Sequence, residues 1–113
     1  MQPAESNIDK RLRAAIEQRR LIQIIYKDRE RIVEPHDYGI HKGVTKLLGY
    51  QVGGSSSAKL PNWRWIETDL ISDIRLLDRT FPGGRVSPSG KHQKWDKLFL
   101  RVKPAGEGPA EGT

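Results

Sequence analysis

The sequence predicts a mainly β chain with an N-terminal α-helix, closing into a small β-barrel of about five strands. Three observations carry that expectation. One helical stripe opens the chain, short apolar or alternating segments then recur at roughly ten-residue spacing, and turn residues separate them. Closure is the usual way for so short a β-chain to hide its strand edges. A length of 113 residues fits a single domain with a modest core. That domain is expected over residues 1–103, with the Gly-, Pro- and Glu-rich segment 104–113 as a disordered tail.

Ser6-Asn7-Ile8-Asp9 matches a capping pattern ahead of a helix expected over about residues 7–19. Ile8, Leu12, Ala15 and Ile16 then line one apolar stripe on an otherwise charged helix. LIQIIYK, residues 21–27, is rich in β-branched residues and reads as a buried strand, with KDRE (27–30) as a hairpin turn. Arg31 to Glu34 begins the second strand. Pro35 lacks an N–H and must sit at an edge or a bulge; Tyr38 to Ile40 continue the strand, and His41 to Gly43 turn the chain. TKLLGYQV (45–52) is a third strand, and GGSSSAKLPN a flexible loop. WRWIETD (63–69) alternates as the fourth. ISDIRLLD (71–78) fits helix or strand, and its short neighbours favour a fifth strand. KLFLRVK (97–103) alternates as a strand through Leu98, Leu100 and Val102, although Trp95, Leu98, Phe99 and Val102 also fit a helical stripe; strand is preferred.

The formal charge is +6 and the isoelectric point about 9.8. The surplus concentrates in a C-terminal arm, residues 85–103, where six basic residues stand against Asp96. Such an arm favours polyanions through counterion release, or it serves as a solubilising segment. The chain has no cysteine, which excludes disulfides and thiolate metal sites and fits a reducing cytosol. No apolar run approaches a membrane span, and MQPAESNIDK carries no signal-like apolar segment, so a cytoplasmic location is expected.

Several residues invite chemistry. His36, Asp37 and His41 raise a metal reading, but two histidines five apart on an extended strand point to opposite faces, and a site needs at least three converging ligands. They read as solvated loop residues, and no metal or cofactor is expected. GGSSSAK lacks the lysine spacing and helix of a phosphate loop, and Ser55 to Ser57 sit in no nucleophile elbow. Glu67 and Asp69 share a strand face, about 7 Å apart by the strand rise. Surface pairing with Arg64 and Arg75 is their simplest role. Catalysis would need a pocket joining His36 or His92 with Glu67 or Asp69, so the chain is expected not to be an enzyme. Trp63, Arg64 and Trp65, with Tyr50 and Tyr26, combine stacking faces with a guanidinium, as single-stranded nucleic-acid surfaces do. Alternation sends both tryptophans to one face and Arg64 to the other, with at least one tryptophan expected in the core.

The order of motifs, AAIEQRRLIQIIY, RIVEP, LLGYQV and RWIETDLISDIRLLD followed by Phe81, resembles the WYL domain over residues 8–81. The resemblance implies an Sm/SH3-like barrel with a packed helix, acting as a regulatory module that binds nucleic acid or a small, nucleotide-like anion. Thr45 and Lys46 stand where that family carries its naming Trp and Tyr, and Glu67 and Leu70 where it places further bases. The expected binding surface is Arg31, Lys46, Tyr50, Trp63 and Arg64, with Lys91, Lys94 and Lys97 as auxiliary charges. The partner is expected to be nucleic acid, single-stranded in particular, or a small anionic ligand, and no membrane. A second expectation is a structural barrel acting through oligomerisation or partner recruitment.

Overall fold

A computed structural model describes residues 4–56, 58–85 and 95–104. The helix α1 (Ala4–Gln18) is followed by strands β1 (Arg20–Tyr26), β2 (Arg29–His41), β3 (Val44–Gly54), β4 (Asn62–Glu67), β5 (Ile71–Thr80) and β6 (Lys97–Arg101). Helix α1 starts earlier than the capping pattern suggests, so Ser6 lies inside it rather than at its cap. It ends where Arg19 takes a left-handed backbone (φ 55°), which turns the chain directly into β1. The predicted stripe is the buried one: Ile8, Leu12, Ala15 and Ile16 pack with Ile22, Ile24, Val33, Leu47, Ile66 and Ile74. Arg11 Nη1 donates to the Ile74 carbonyl at 2.7 Å and Tyr38 Oη to the Asp9 carboxylate at 2.7 Å, fastening the helix to β5 and β2.

Two hairpins set the registers. Tyr26 faces Arg29 and His41 faces Val44, each across two residues. Lys27 and Asp28 (φ 51° and 65°), then Lys42 and Gly43 (52° and 77°), adopt the paired positive φ that a type I′ turn demands. Both turns lie within the segments expected from sequence. Residues 71–78, open between helix and strand by periodicity, belong to β5, and β6 confirms the strand preference at 97–101.

Strand β2 organises the sheet. Residues 31–41 pair with β3 on one flank; on the other, residues 29–33 pair with β1 and residues 37–40 with β6. The changeover lies at a register shift between Pro35 and Asp37. The proline sits where it was expected, at a bulge. The His36 carbonyl there accepts the Val102 N–H at 2.8 Å.

The sheet is open, which corrects the expected closed barrel. Its hydrogen-bonded order is β4-β3-β2-β1-β5, with β6 on β2, and no ladder joins β4 to β5 among the described residues. A short 3-10 turn, Thr68–Leu70, carries the chain between those terminal strands. It also removes Asp69 from the strand it was expected to share with Glu67. Strand spacing counts strands but says nothing about whether the first and last of the path pair, so closure was never contained in the pattern. The edges are managed otherwise: β4 is six residues long, and β5 carries Asp73, Arg75, Asp78 and Arg79. With closure goes the Sm/SH3-like fold, and with it the WYL assignment that implied it. No helix among the described residues is long and apolar enough to cross a membrane.

Gly49 is a contact-critical position. A Cβ there would collide with Val33 Cγ1 in the core. Gly49→Ala is expected to destabilise the fold by about 1–3 kcal/mol in urea unfolding. In a Val33→Ala background the same change should cost clearly less, because the obstructing methyl is gone.

Candidate functional site

Cross-strand pairing fixes which side chains share a face. Ile24 pairs with Arg31, Val33 with Gln51, and Gly49 with Arg64, so both arginines and Gln51 lie on the helix-covered face. Gln51 is fully buried. Its Nε2 donates to the Gly53 and Ser55 carbonyls at 3.0 and 2.9 Å, which aims Oε1 away from them. Arg31 Nη1 and Arg64 Nε then donate to that single oxygen at 2.9 and 3.1 Å. Arg64 Nη2 also donates to Ser56 Oγ, and the Arg31 guanidinium lies 5.5 Å from the Tyr26 ring centre.

Two guanidinium groups therefore meet at one neutral acceptor. Among the described residues neither forms an ion pair, and Arg31 Nε is buried without an acceptor. A buried donor in that state costs about 1–3 kcal/mol. Burial, then the Arg64 charge, holds the Arg31 guanidinium below its ordinary value. Chemically, the pair offers charged N–H donors to an oxyanion.

The opposite face is built in rungs. Glu34, Tyr50 and Trp63 form one, Arg101, Asp37, Leu48 and Trp65 the next, and Gly39, Lys46 and Glu67 a third. The first rung is capped by the C-terminal arm. Arg85 Nε and Nη2 grip the buried Glu34 carboxylate at 2.6 and 3.0 Å, and its guanidinium lies 4.6 Å from the Tyr50 ring centre. Arg101 makes the same two-pronged grip on Asp37, at 3.0 and 3.1 Å. Two of the six bases of the arm are thus committed to neutralising β2, which the charge count alone did not reveal.

His36 is buried beside this clamp, edge-on to Trp63 and stacked on Phe81. Its Nε2 accepts the Arg85 N–H at 3.1 Å, so Nδ1 carries the proton and donates to the Glu34 carbonyl at 2.8 Å. Both nitrogens are engaged, with neither Glu67 nor Asp69 as partner, and the expected solvated histidine is instead a packed one. Burial pushes its pKa below the ordinary 6.5.

An aromatic cluster lies beside the second and third rungs. His41 stacks on Trp65 with ring centres 4.4 Å apart, and Trp95 lies 5.4 Å from Trp65 and 5.9 Å from His41. Lys46 Nζ donates to His41 Nδ1 at 3.4 Å and stands 5.5 Å from the Trp65 ring centre. Burial, with Lys46 and Lys42 nearby, lowers the His41 pKa. The Trp95 indole N–H is buried without an acceptor.

The expected surface is consequently divided. Arg31 and Arg64 come together on the helix face, whereas Lys46, Tyr50 and Trp63 lie on the other. Lys97 pairs with Ile40 and brings Nζ 5.9 Å from the Phe99 ring, which packs on Tyr38. Lys91, Lys94 and His92 lie outside the described residues. Neither Trp63 nor Trp65 is buried, against the expectation that one would be core: alternation points both away from the helix. Gln51, Arg85 and Trp95 were missed. Gln51 had a signal, since alternation with Leu47 places a polar amide on the core face; Arg85 and Trp95 act across long sequence separations that no local pattern encodes. Among the described residues, no group of three or more His, Asp or Glu is placed to hold a metal ion.

No protein-family model, curated protein or solved structure matches the chain.

The buried His36 sets a pH dependence. The unfolded chain takes up a proton near pH 6.5 and the folded chain only below that, so stability is full above about 6.5 and falls as pH drops towards the lower folded value. Urea midpoints between pH 7.5 and 5 should decline, and His36→Gln should flatten part of the decline, with His41→Gln accounting for another part. Arg85→Met, which strands the Glu34 carboxylate, should cost about 1–3 kcal/mol at pH 7, discounted from a fully buried pair because Arg85 is 46% exposed.

Proposed function

We propose that this chain is a non-enzymatic binding module for a small anionic ligand bearing a phosphate or similar oxyanion, held between Arg31 and Arg64. The observation that carries this reading is the convergence of two guanidinium groups on the neutral Gln51 oxygen, with no carboxylate and with Arg31 Nε lacking an acceptor. A structural arginine pair ordinarily neutralises an acid, as Arg85 and Arg101 do here. An arginine pair without one retains its charge for an incoming anion. Ser56 supports the same reading, since its hydroxyl occupies a donor of Arg64 that an anion oxygen would take.

The test is calorimetric titration with inorganic pyrophosphate and with adenosine monophosphate at low salt. Binding is expected, weakening as salt rises. Arg64→Ala and Arg31→Ala should each reduce affinity by about ten- to a hundredfold, the worth of a hydrogen bond to a charged group. No heat of binding from either probe, or unchanged affinity in both variants, contradicts the proposal.

The open sheet supports a second reading, a structural or recruitment module. Strand β4 ends the hydrogen-bonded path and has no second partner strand among the described residues. Light scattering during size exclusion is expected to give a defined oligomer on that reading and a monomer on the first.

A further inference from the structure

We propose that the face opposite the arginine pair binds single-stranded nucleic acid through Trp65, His41, Trp95 and Lys46. This goes beyond the small-anion reading and does not rest on it, because the residues lie on the other side of the sheet.

Four features of the cluster converge. Three aromatic rings meet within 6 Å of one another, and Trp65 remains 37% exposed, one of three large apolar side chains among the described residues that do. A lone exposed tryptophan would be unremarked, but one framed by a stacked imidazole and a second indole is a stacking surface already ordered. Among the described residues Lys46 has no carboxylate within ion-pair distance: its ammonium rests against His41 and the Trp65 ring. Lys42 adds a second positive charge in the adjoining turn. Finally, the Trp95 indole N–H is buried without an acceptor among the described residues, a donor that only local opening of the cluster would offer to a phosphate or base oxygen.

The backbone supports this arrangement. A Cβ at Gly39 would collide with the Lys97 carbonyl and come within 3.0 Å of Trp95 Cε3, so glycine is what lets Trp95 settle over β2. Bare positive charge would bind duplex and single strand alike. Aromatic faces beside lysine select unstacked bases, which offer both a ring and a phosphate. Glu67, paired with Lys46 across β3 and β4, is the opposing charge in this surface.

Fluorescence anisotropy of labelled oligothymidylate and oligouridylate of equal length, with a duplex of that length as control, tests the proposal on the full chain. Both single strands should bind more tightly than duplex, with affinity falling as salt rises. Trp65→Ala should weaken binding about tenfold, and Trp65→Phe should restore most of it. Lys46→Gln should lower the logarithmic salt slope by about 0.7, the contribution of one phosphate contact on a single strand. Glu67→Gln should tighten binding, and Arg64→Ala should weaken it far less than Trp65→Ala does, which separates this surface from the arginine pair. Lys46→Gln leaves every ring of the cluster in place, so its effect does not depend on the fold tolerating loss of a ring. Failure of both single strands to bind at low salt overturns the proposal. So does duplex binding of equal strength, or binding indifferent to both Trp65→Ala and Lys46→Gln.

Discussion

The amide of Gln51 settles the character of the helix-covered face. Because its nitrogen is held by the Gly53 carbonyl at the end of β3 and the Ser55 carbonyl of the loop beyond, its oxygen is fixed towards Arg31 and Arg64, which both donate to it. A carboxylate in that place would have completed an internal ion pair and left a structural site. An apolar residue would have left both guanidinium groups without an anchor. The neutral amide organises the charges without cancelling them, and organisation before binding is what makes a cationic pair useful to a ligand.

The opposite arrangement holds a few residues away along β2. Glu34 and Asp37 flank the Pro35–Asp37 irregularity, and each is gripped by an arginine that arrives from more than fifty positions downstream. These contacts, with the Val102 N–H on the His36 carbonyl, fasten the C-terminal segment beside the point where β2 exchanges β1 for β6. The basic arm is therefore partly a fastening device. Among the described residues, Arg85 and Arg101 are matched to buried acids, whereas Arg31 and Arg64 are matched only to neutral groups. Each face keeps, among the described residues, one buried side-chain N–H without an acceptor, Arg31 Nε on one and Trp95 Nε1 on the other.

Much of the fold was legible in the residues. Ile8, Leu12, Ala15 and Ile16 announced the buried helix stripe, the β-branched run after Arg20 announced β1, and Pro35 announced an edge or a bulge. Those features are local and follow from side-chain period and backbone chemistry. Closure was not legible, because it depends on a pairing between β4 and β5 that spacing does not specify. The resemblance to the WYL domain failed with it, since similar strings of short strands serve open and closed sheets alike. At the site, alternation correctly separated Arg64 from Trp63 and Trp65, but the significance of that split depended on Gln51, whose partners come from β2, β4 and the following loop. The arm misled by composition: a count of bases cannot distinguish Arg85 on Glu34 from a free cation.

The central claim is that Arg31 and Arg64 hold their donors ready for an oxyanion, and the Nε–H resonances of these arginines report on it most directly. Titration with inorganic pyrophosphate, followed by nitrogen–proton correlation spectra assigned through Arg31→Lys and Arg64→Lys, is expected to shift both resonances together and saturably. The signals of Arg85 and Arg101, already committed to carboxylates, should stay in place. Uniform small shifts of all arginines, or none at Arg31 and Arg64, would contradict the account.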